Sequence, residues 1–182
     1  MKIRLMKEEN IFNIANAFLE QGWDGRYEIL ESYWLEQQNK SRFVFVAELD
    51  GHIAGYVTLV RKAKNGPFQA SELPEVADFN VFEKYQKQGI GSSLLAAAEN
   101  KAEQFSSIIT LGVGLHKGYG AAQRIYVKRG YLPDGSGVWF ENKNIDSGEA
   151  CMNNDDLCIY MSKNLKNTNI DYTIQGLEEQ SW

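Results

Sequence analysis

The sequence predicts a mixed α/β fold: a mostly antiparallel sheet of about seven strands with helices on both of its faces. Three observations predict it. Two apolar runs, Arg42 to Leu49 and His52 to Arg61, are joined by Asp50-Gly51. Asp-Gly between such runs is a strong hairpin signal, because both turn residues take positive φ. The middle of the chain then reads strand, glycine turn, amphipathic helix, strand, helix. Finally, Trp139-Phe140 and Leu157 to Ser162 can close the sheet as an antiparallel pair across a polar loop from Glu141 to Asp156.

The elements follow in order. Lys2 to Met6 alternates as a first strand does. Glu9 to Gly22 carries Ile11, Ile14, Ala15, Phe18 and Leu19 at helical spacing, with Gly22 as a stop signal. Glu28 to Gln38 reads as a second helix with Ile29, Tyr33 and Trp34 on one side. After the hairpin, Lys62 to Leu73 is a polar loop containing Gly66-Pro67. A strand is expected over 76–82, a helix over 90–104, a strand over 108–113 and a helix over 120–129. The domain is expected to span 1–165. The tail, 166–182, is polar apart from Ile170, Tyr172 and Ile174, and is read as an extra edge strand or a free end.

Composition narrows the class. A chain of 182 residues with 4 Trp, 9 Tyr and 9 Phe can bury a sizeable core. Nineteen basic against 24 acidic residues give a net charge of −5, and no Lys/Arg stripe marks a nucleic-acid surface. An acidic surface suits a cationic acceptor. Cys151 and Cys158 form no disulfide framework and read as free thiols of a cytoplasmic protein. Two Cys and two distant His are too few for a metal site. Met1 to Leu5 lacks the apolar core of a signal peptide, and no run is long enough to span a membrane.

The stretch that carries chemistry is Gln86-Lys87-Gln88-Gly89-Ile90-Gly91-Ser92, between the strand over 76–82 and a helix whose apolar positions are Ile90, Leu94, Leu95, Ala98 and Ala102. Two glycines in a strand-to-helix turn let backbone N–H groups converge on an anion, and the helix N-terminus adds partial positive charge. Ser92 can cap the helix or donate to a phosphate oxygen, and Lys84 and Lys87 add charge. The alternative is a tight turn in which glycine serves geometry alone. A Walker loop requires Gly-Lys-Ser/Thr, which does not occur. A dinucleotide fingerprint requires a third glycine, missing here.

With these residues in place, the chain resembles the GNAT superfamily of N-acetyltransferases. Gln86 to Gly91 matches its [QR]-x-x-G-x-[GA] signature throughout. Ala121-Ala122-Gln123-Arg124-Ile125-Tyr126-Val127-Lys128-Arg129-Gly130-Tyr131 resembles its A-x-x-L-Y-x-[KR]-x-G-[FY] helix, with Ile125 in the Leu position. One helix and one strand lie between the two motifs, and the likeness covers roughly residues 2 to 165. The family often has Asn seven residues before the Tyr; here that position is Tyr119. The loop His116-Lys117-Gly118-Tyr119-Gly120 is also unusual for the family.

The resemblance implies a GNAT-like fold in which strands four and five part at one end and acetyl-CoA inserts like a missing strand. The backbone of Phe79, Asn80 and Val81 would pair with the pantetheine arm, and the loop Gln86, Lys87, Gln88, Gly89, Ile90, Gly91 and Ser92 would hold the pyrophosphate. It implies direct acetyl transfer to an amine in a ternary complex, with the oxyanion stabilised by a backbone N–H near Val81. Tyr126 would donate a proton to the leaving thiolate; a phenol of pKa about 10 is protonated at neutral pH. The other reading of Tyr126 is a core residue beside Ala122, Ile125 and Arg129.

An alkylammonium must lose a proton before it can attack. The candidate bases are Glu72, Glu75 and Asp78. On a regular strand Glu75 and Asp78 face opposite sides; Asp78 is preferred and Glu75 stands second. Acceptor binding is expected from Trp23, Asp24 and Tyr27, an aromatic pair and an acid on a glycine-flanked loop. His116 is a lesser candidate, and His52 reads as structural. A non-catalytic acyl-CoA-binding or regulatory domain on the same fold and an unrelated nucleotide-phosphate binder remain alternatives. A homodimer is plausible for the family.

Overall fold

The computed structural model describes residues 1–166, so the suggested edge strand of the tail lies outside the described residues. The elements are β1 (Lys2–Leu5), α1 (Asn10–Glu20), α2 (Tyr27–Gln38), β2 (Arg42–Leu49), β3 (His52–Val60), β4 (Glu75–Val81), α3 (Ile90–Glu103), β5 (Ile108–Gly114), α4 (Gly120–Lys128), β6 (Leu132–Phe140), β7 (Lys143–Asn144) and β8 (Cys158–Asn164). They form one eight-stranded sheet in the order β1-β2-β3-β4-β5-β8-β6-β7. No helix among the described residues is long and apolar enough to cross a membrane.

Local chemistry explains most boundaries. Gly22, at φ +77°, donates to Leu19 O as α1 ends, the left-handed stop that a Cβ disfavours. Asp50 and Gly51 both take positive φ, 51° and 82°, and close the β2–β3 hairpin as its two-residue turn requires. α2 departs from its expected face: it buries Leu30, whereas Ile29 is exposed.

Two apolar layers cover the sheet. On one face, Ile90, Leu94, Leu95, Ala98 and Ala102 of α3 and Tyr126 of α4 pack on Ala47, Val57, Leu59, Val76 and Leu111. On the other, Ile11, Ile14, Ala15 and Phe18 of α1 and Leu30 of α2 pack on Val44, Val46 and Tyr56. Leu94 is fully buried; truncating such a side chain to Ala costs about 2–5 kcal/mol. A buried carboxylate, Glu99 of α3, pins the far end of the first layer. It accepts from Arg129 Nε at 2.9 Å and from Lys163 Nζ of β8 at 2.9 Å. Burial opposes its charge, but these donors outweigh burial and hold its pKa below the ordinary range.

The site is set by two irregularities in β4. First, β4 pairs with β5 in parallel at only Glu75↔Thr110 and Val76↔Leu111, while β5 pairs with β8 along its whole length. The two strands therefore part beyond Val76, and among the described residues the remainder of β4 presents a free edge. Second, Thr58 pairs with Asp78 but Leu59 pairs with Val76. Ala77 is the extra residue of a β-bulge.

The closing strands differ from expectation. β6 begins at Leu132, seven residues before Trp139. Its ladder with β8 is interrupted between Pro133 and Val138, where Gly135 and Gly137 take positive φ. β7 is an added hairpin partner of Trp139 and Phe140 inside the expected loop, which brings the strand number to eight.

Candidate active site

The glycine turn is built to leave backbone donors free. Gly89, at φ +79°, is the N-cap of α3, and the helix starts without a side-chain cap. Lys87 is also left-handed, at φ 62°. Left-handed residues alternating along such a turn fold N–H groups toward one concavity, and the uncapped first turn of α3 adds its own unclaimed donors. A Cβ on Gly89 would meet nothing within 4 Å, so the turn opens to solvent. Gly91 has a different reason: a Cβ there would lie 3.0 Å from Phe79 Cζ and 3.3 Å from Ile125 Cδ1. It lets α3 seat against β4 and α4.

The polar side chains of the motif divide. Gln86 Nε2 donates to Val81 O at 3.2 Å and so ties the turn to the end of β4. Gln88 Nε2 reaches Lys84 O at 3.4 Å. Ile90 is buried, and Ser92 is exposed in the first turn of α3. Lys84 is drawn aside to Glu20 of α1, at 3.2 Å.

The gap between β4 and β5 begins where this turn ends. Phe82 N–H donates to Ala54 O of β3 at 3.0 Å. Backbone polar groups alternate between the two edges of a strand. Phe79 and Val81 therefore direct their N–H groups away from β3, into the gap, whereas Asn80 directs its own toward β3. Tyr126 of α4 stands beside the gap, its ring 6.2 Å from that of Phe79 and 5.8 Å from that of Tyr131. It is 6% exposed, and its hydroxyl makes no hydrogen bond among the described residues. Burial, then the nearby Asp78 and Tyr119, pushes its pKa up, which keeps the phenol protonated. The Tyr119 ring lies so close over Gly114 at the end of β5 that a Cβ on Gly114 would collide with it.

The bulge at Ala77 overturns one expectation. An extra residue reverses the alternation, so Glu75, opposite Val60, and Asp78, opposite Thr58, share a face of the sheet. Their surroundings differ. Asp78 Oδ2 accepts from Tyr56 Oη at 2.8 Å and Tyr33 Oη at 3.2 Å, and lies 3.0 Å from Arg26 NH2. Its Oδ1 accepts from Asn80 Nδ2 at 2.9 Å. Burial and Asp78 together raise Tyr33 to about 12, so both phenols act as donors. Glu75 makes no side-chain hydrogen bond among the described residues. Burial raises its carboxyl to about 7, with Arg42 opposing. It lines a small cavity of about 190 Å³ with Arg42, Val60, Lys64, Asn65 and Ala77. Glu72, the third candidate, is an exposed loop acid paired with Lys62 at 2.6 Å.

The α1–α2 loop is placed differently from expectation. Trp23 stacks on Phe18 at 5.9 Å and is half exposed. Asp24 Oδ1 accepts from Arg26 N at 3.0 Å, a local turn that starts α2. Tyr27 packs edge-on against Phe12, an exposed residue of α1, at 6.3 Å. The side chain this loop sends to the sheet is Arg26, held in a left-handed backbone (φ 55°). Its only sequence cue was its place two residues after an Asp, the spacing of an Asx turn. Tyr33 and Tyr56 carried no cue beyond their positions on apolar faces.

His116 lies at the far rim. Its Nδ1 accepts from Gly118 N at 3.0 Å, so its other nitrogen faces Asp155 Oδ1 as donor at 2.8 Å. Tyr119 Oη donates to the same oxygen at 3.0 Å. His116, Lys117 and Asn153 to Asp155 border a wide, open depression of about 480 Å³. His52 is exposed at the start of β3. Among the described residues no three His, Cys, Asp or Glu side chains gather as metal ligands. Cys151 and Cys158 are free thiols.

Known proteins match this architecture. An N-acetyltransferase from Staphylococcus aureus Mu50 superimposes with a TM-score of 0.68 at 17% identity, over 91% of this chain and 98% of that one. An aminoglycoside 6'-N-acetyltransferase complexed with coenzyme A gives 0.65 at 18% identity, over 92% and 98%. A Salmonella typhimurium structure with its cofactor acetyl-CoA gives 0.63 at 17% identity, over 92% and 95%. No curated protein matches the sequence. A family model matches residues 8–131, from α1 through the α4 motif to Tyr131, and this chain belongs to the acetyltransferase (GNAT) family.

Proposed function

We propose that the protein is an acetyl-CoA-dependent N-acetyltransferase that moves an acetyl group directly to a primary amine in a ternary complex. One observation carries the reading: the free edge of β4, beyond its last pairing with β5, runs from the bulge beside Glu75 to the uncapped start of α3. A phosphate-bearing group at the turn and an extended arm along the edge fit coenzyme A. Lys87, Gly89, Ile90 and Gly91 offer backbone donors to the phosphates, and Gln86 fixes the turn. Phe79 and Val81 offer N–H groups to the amides of the arm or to a developing oxyanion.

Acetyl-CoA supplies the activated acyl group. Glu75 acts as general base, directly or through water, because burial brings its carboxyl to about 7 and no side-chain donor among the described residues occupies it. Asp78, the acid preferred from the sequence, is committed to Arg26, Tyr33, Tyr56 and Asn80 and serves as a scaffold for that face. Tyr126, protonated and without a hydrogen-bond partner among the described residues, is the donor to the departing thiolate.

Melting temperature with acetyl-CoA, CoA or ATP at equal concentration tests the cofactor assignment. A ligand at 100 times its dissociation constant stabilises by about 2.7 kcal/mol. The expected result is a rise with both CoA species and none with ATP, followed by acetyl-CoA- and amine-dependent thiol release. No rise with either CoA species overturns the assignment.

A further inference from the structure

We propose that the cavity at Glu75 binds the acceptor, and that the acceptor is a small zwitterionic amine of the free amino-acid type rather than a polycation. The inference rests on the transferase reading above. Ala77, the exposed bulge residue where β4 and β5 begin to part, lines the cavity. An amine entering it faces the apex of the gap, with Glu75 beside it.

The rest of the wall is not acidic. Arg42 is buried; its Nε donates to Glu36 Oε2 at 2.9 Å and its NH1 to Thr58 Oγ1 at 2.8 Å. Lys64 Nζ donates to Glu36 Oε1 at 3.0 Å. Two cations therefore share one carboxylate. Arg42 retains an NH2 group, Lys64 retains two of its three donors, and the exposed Asn65 adds an amide. Among the described residues Glu75 is the only acid on the lining. A second ammonium placed here would meet like charge, whereas a carboxylate would meet donors on one side while the amine faces Glu75 on the other.

Size points the same way. About 190 Å³ is below the 300–1,000 Å³ of drug-sized sites. The loop over 62–74 that carries Lys64 and Asn65 is seated firmly: Gly66 N donates to Asn142 Oδ1 at 2.7 Å, and Phe68 packs edge-on against Tyr160 at 6.1 Å.

The test measures acetyl-CoA-dependent thiol release with the common L-amino acids, the α-amide of each amino acid that is turned over, spermidine and kanamycin. Lys64→Glu and Lys64→Arg are compared with the native protein, and acetyl-CoA affinity is measured separately for all three. The expected result is turnover of at least one free amino acid. Its amide should be about tenfold or more poorer in kcat/KM. Lys64→Glu should impose a similar loss, mainly in KM, that Lys64→Arg restores, with acetyl-CoA affinity unchanged. Spermidine or kanamycin as the better substrate, an amide equal to its acid, or no response to Lys64→Glu overturns the inference and leaves the transferase reading standing. No turnover of any amine by protein that binds acetyl-CoA overturns both.

Discussion

Glu75 and Asp78 lie three residues apart on one strand and, because of one bulge, on one face, yet their surroundings are opposites. Asp78 is met by two phenols, a guanidinium and an amide. Glu75 is partly buried beside an arginine already turned toward Glu36 and Thr58. A carboxylate whose lone pairs are filled by donors holds structure; one that is desolvated and unfilled is poised to take a proton. The difference separates scaffold from chemistry within a single strand, and it can be pressed experimentally.

The largest expected effect is on turnover. Glu75→Gln keeps the shape and removes the base, so kcat should fall about 10²- to 10⁴-fold with acetyl-CoA affinity unchanged; a loss under threefold would break the comparison. The next is the dependence of stability on pH. The folded pKa of Glu75 is raised, from 4.5 to about 7, so its folded state binds a proton that the unfolded state has released. Stability from this group is full below about pH 4.5 and is lost as pH rises through 7, about 3 kcal/mol. Chemical denaturation of the native protein and of Glu75→Gln across that range should show the slope in the first and lose that part of it in the second.

Asp78→Asn should act chiefly on the fold. It leaves Arg26 without its acid beside Tyr33 and Tyr56, at a cost of about 2 kcal/mol given the partial exposure of Arg26 and Asp78. That corresponds to a drop of roughly 4–8 °C in Tm. Its kcat should stay closer to native than that of Glu75→Gln. The smallest effect is Gly89→Ala, which touches neither acid. Forcing a Cβ into φ +79° costs about 1 kcal/mol; acetyl-CoA affinity should weaken while the pH profile keeps its shape.

The turn and its helix were readable in the sequence because glycine spacing and the apolar stripe are local signals. The hairpin was readable for the same reason, Asp50-Gly51 being a turn that only a few residue pairs can make. The facing of Glu75 was not. A bulge is decided by how β4 seats against β3, with Val76 and Phe79 both needed in the same apolar layer, and strict alternation conceals it. Arg26 is not legible because its contribution depends on the partners that Tyr33 of α2, Tyr56 of β3 and Asp78 of β4 supply. The start of β6 is hidden because Pro133, Asp134, Gly135 and Gly137 read as loop, and pairing with β8 overrides that composition.

The most direct test of the division between the two acids is the pH profile of kcat/KM for the native protein, Asp78→Asn and Glu75→Gln with one amine acceptor. A base must be ionised to accept a proton, so the rate should rise with pH through about 7 in the native protein. That limb should persist in Asp78→Asn and vanish in Glu75→Gln. A limb near 7 that survives in Glu75→Gln and disappears in Asp78→Asn would contradict the assignment and return the base to Asp78.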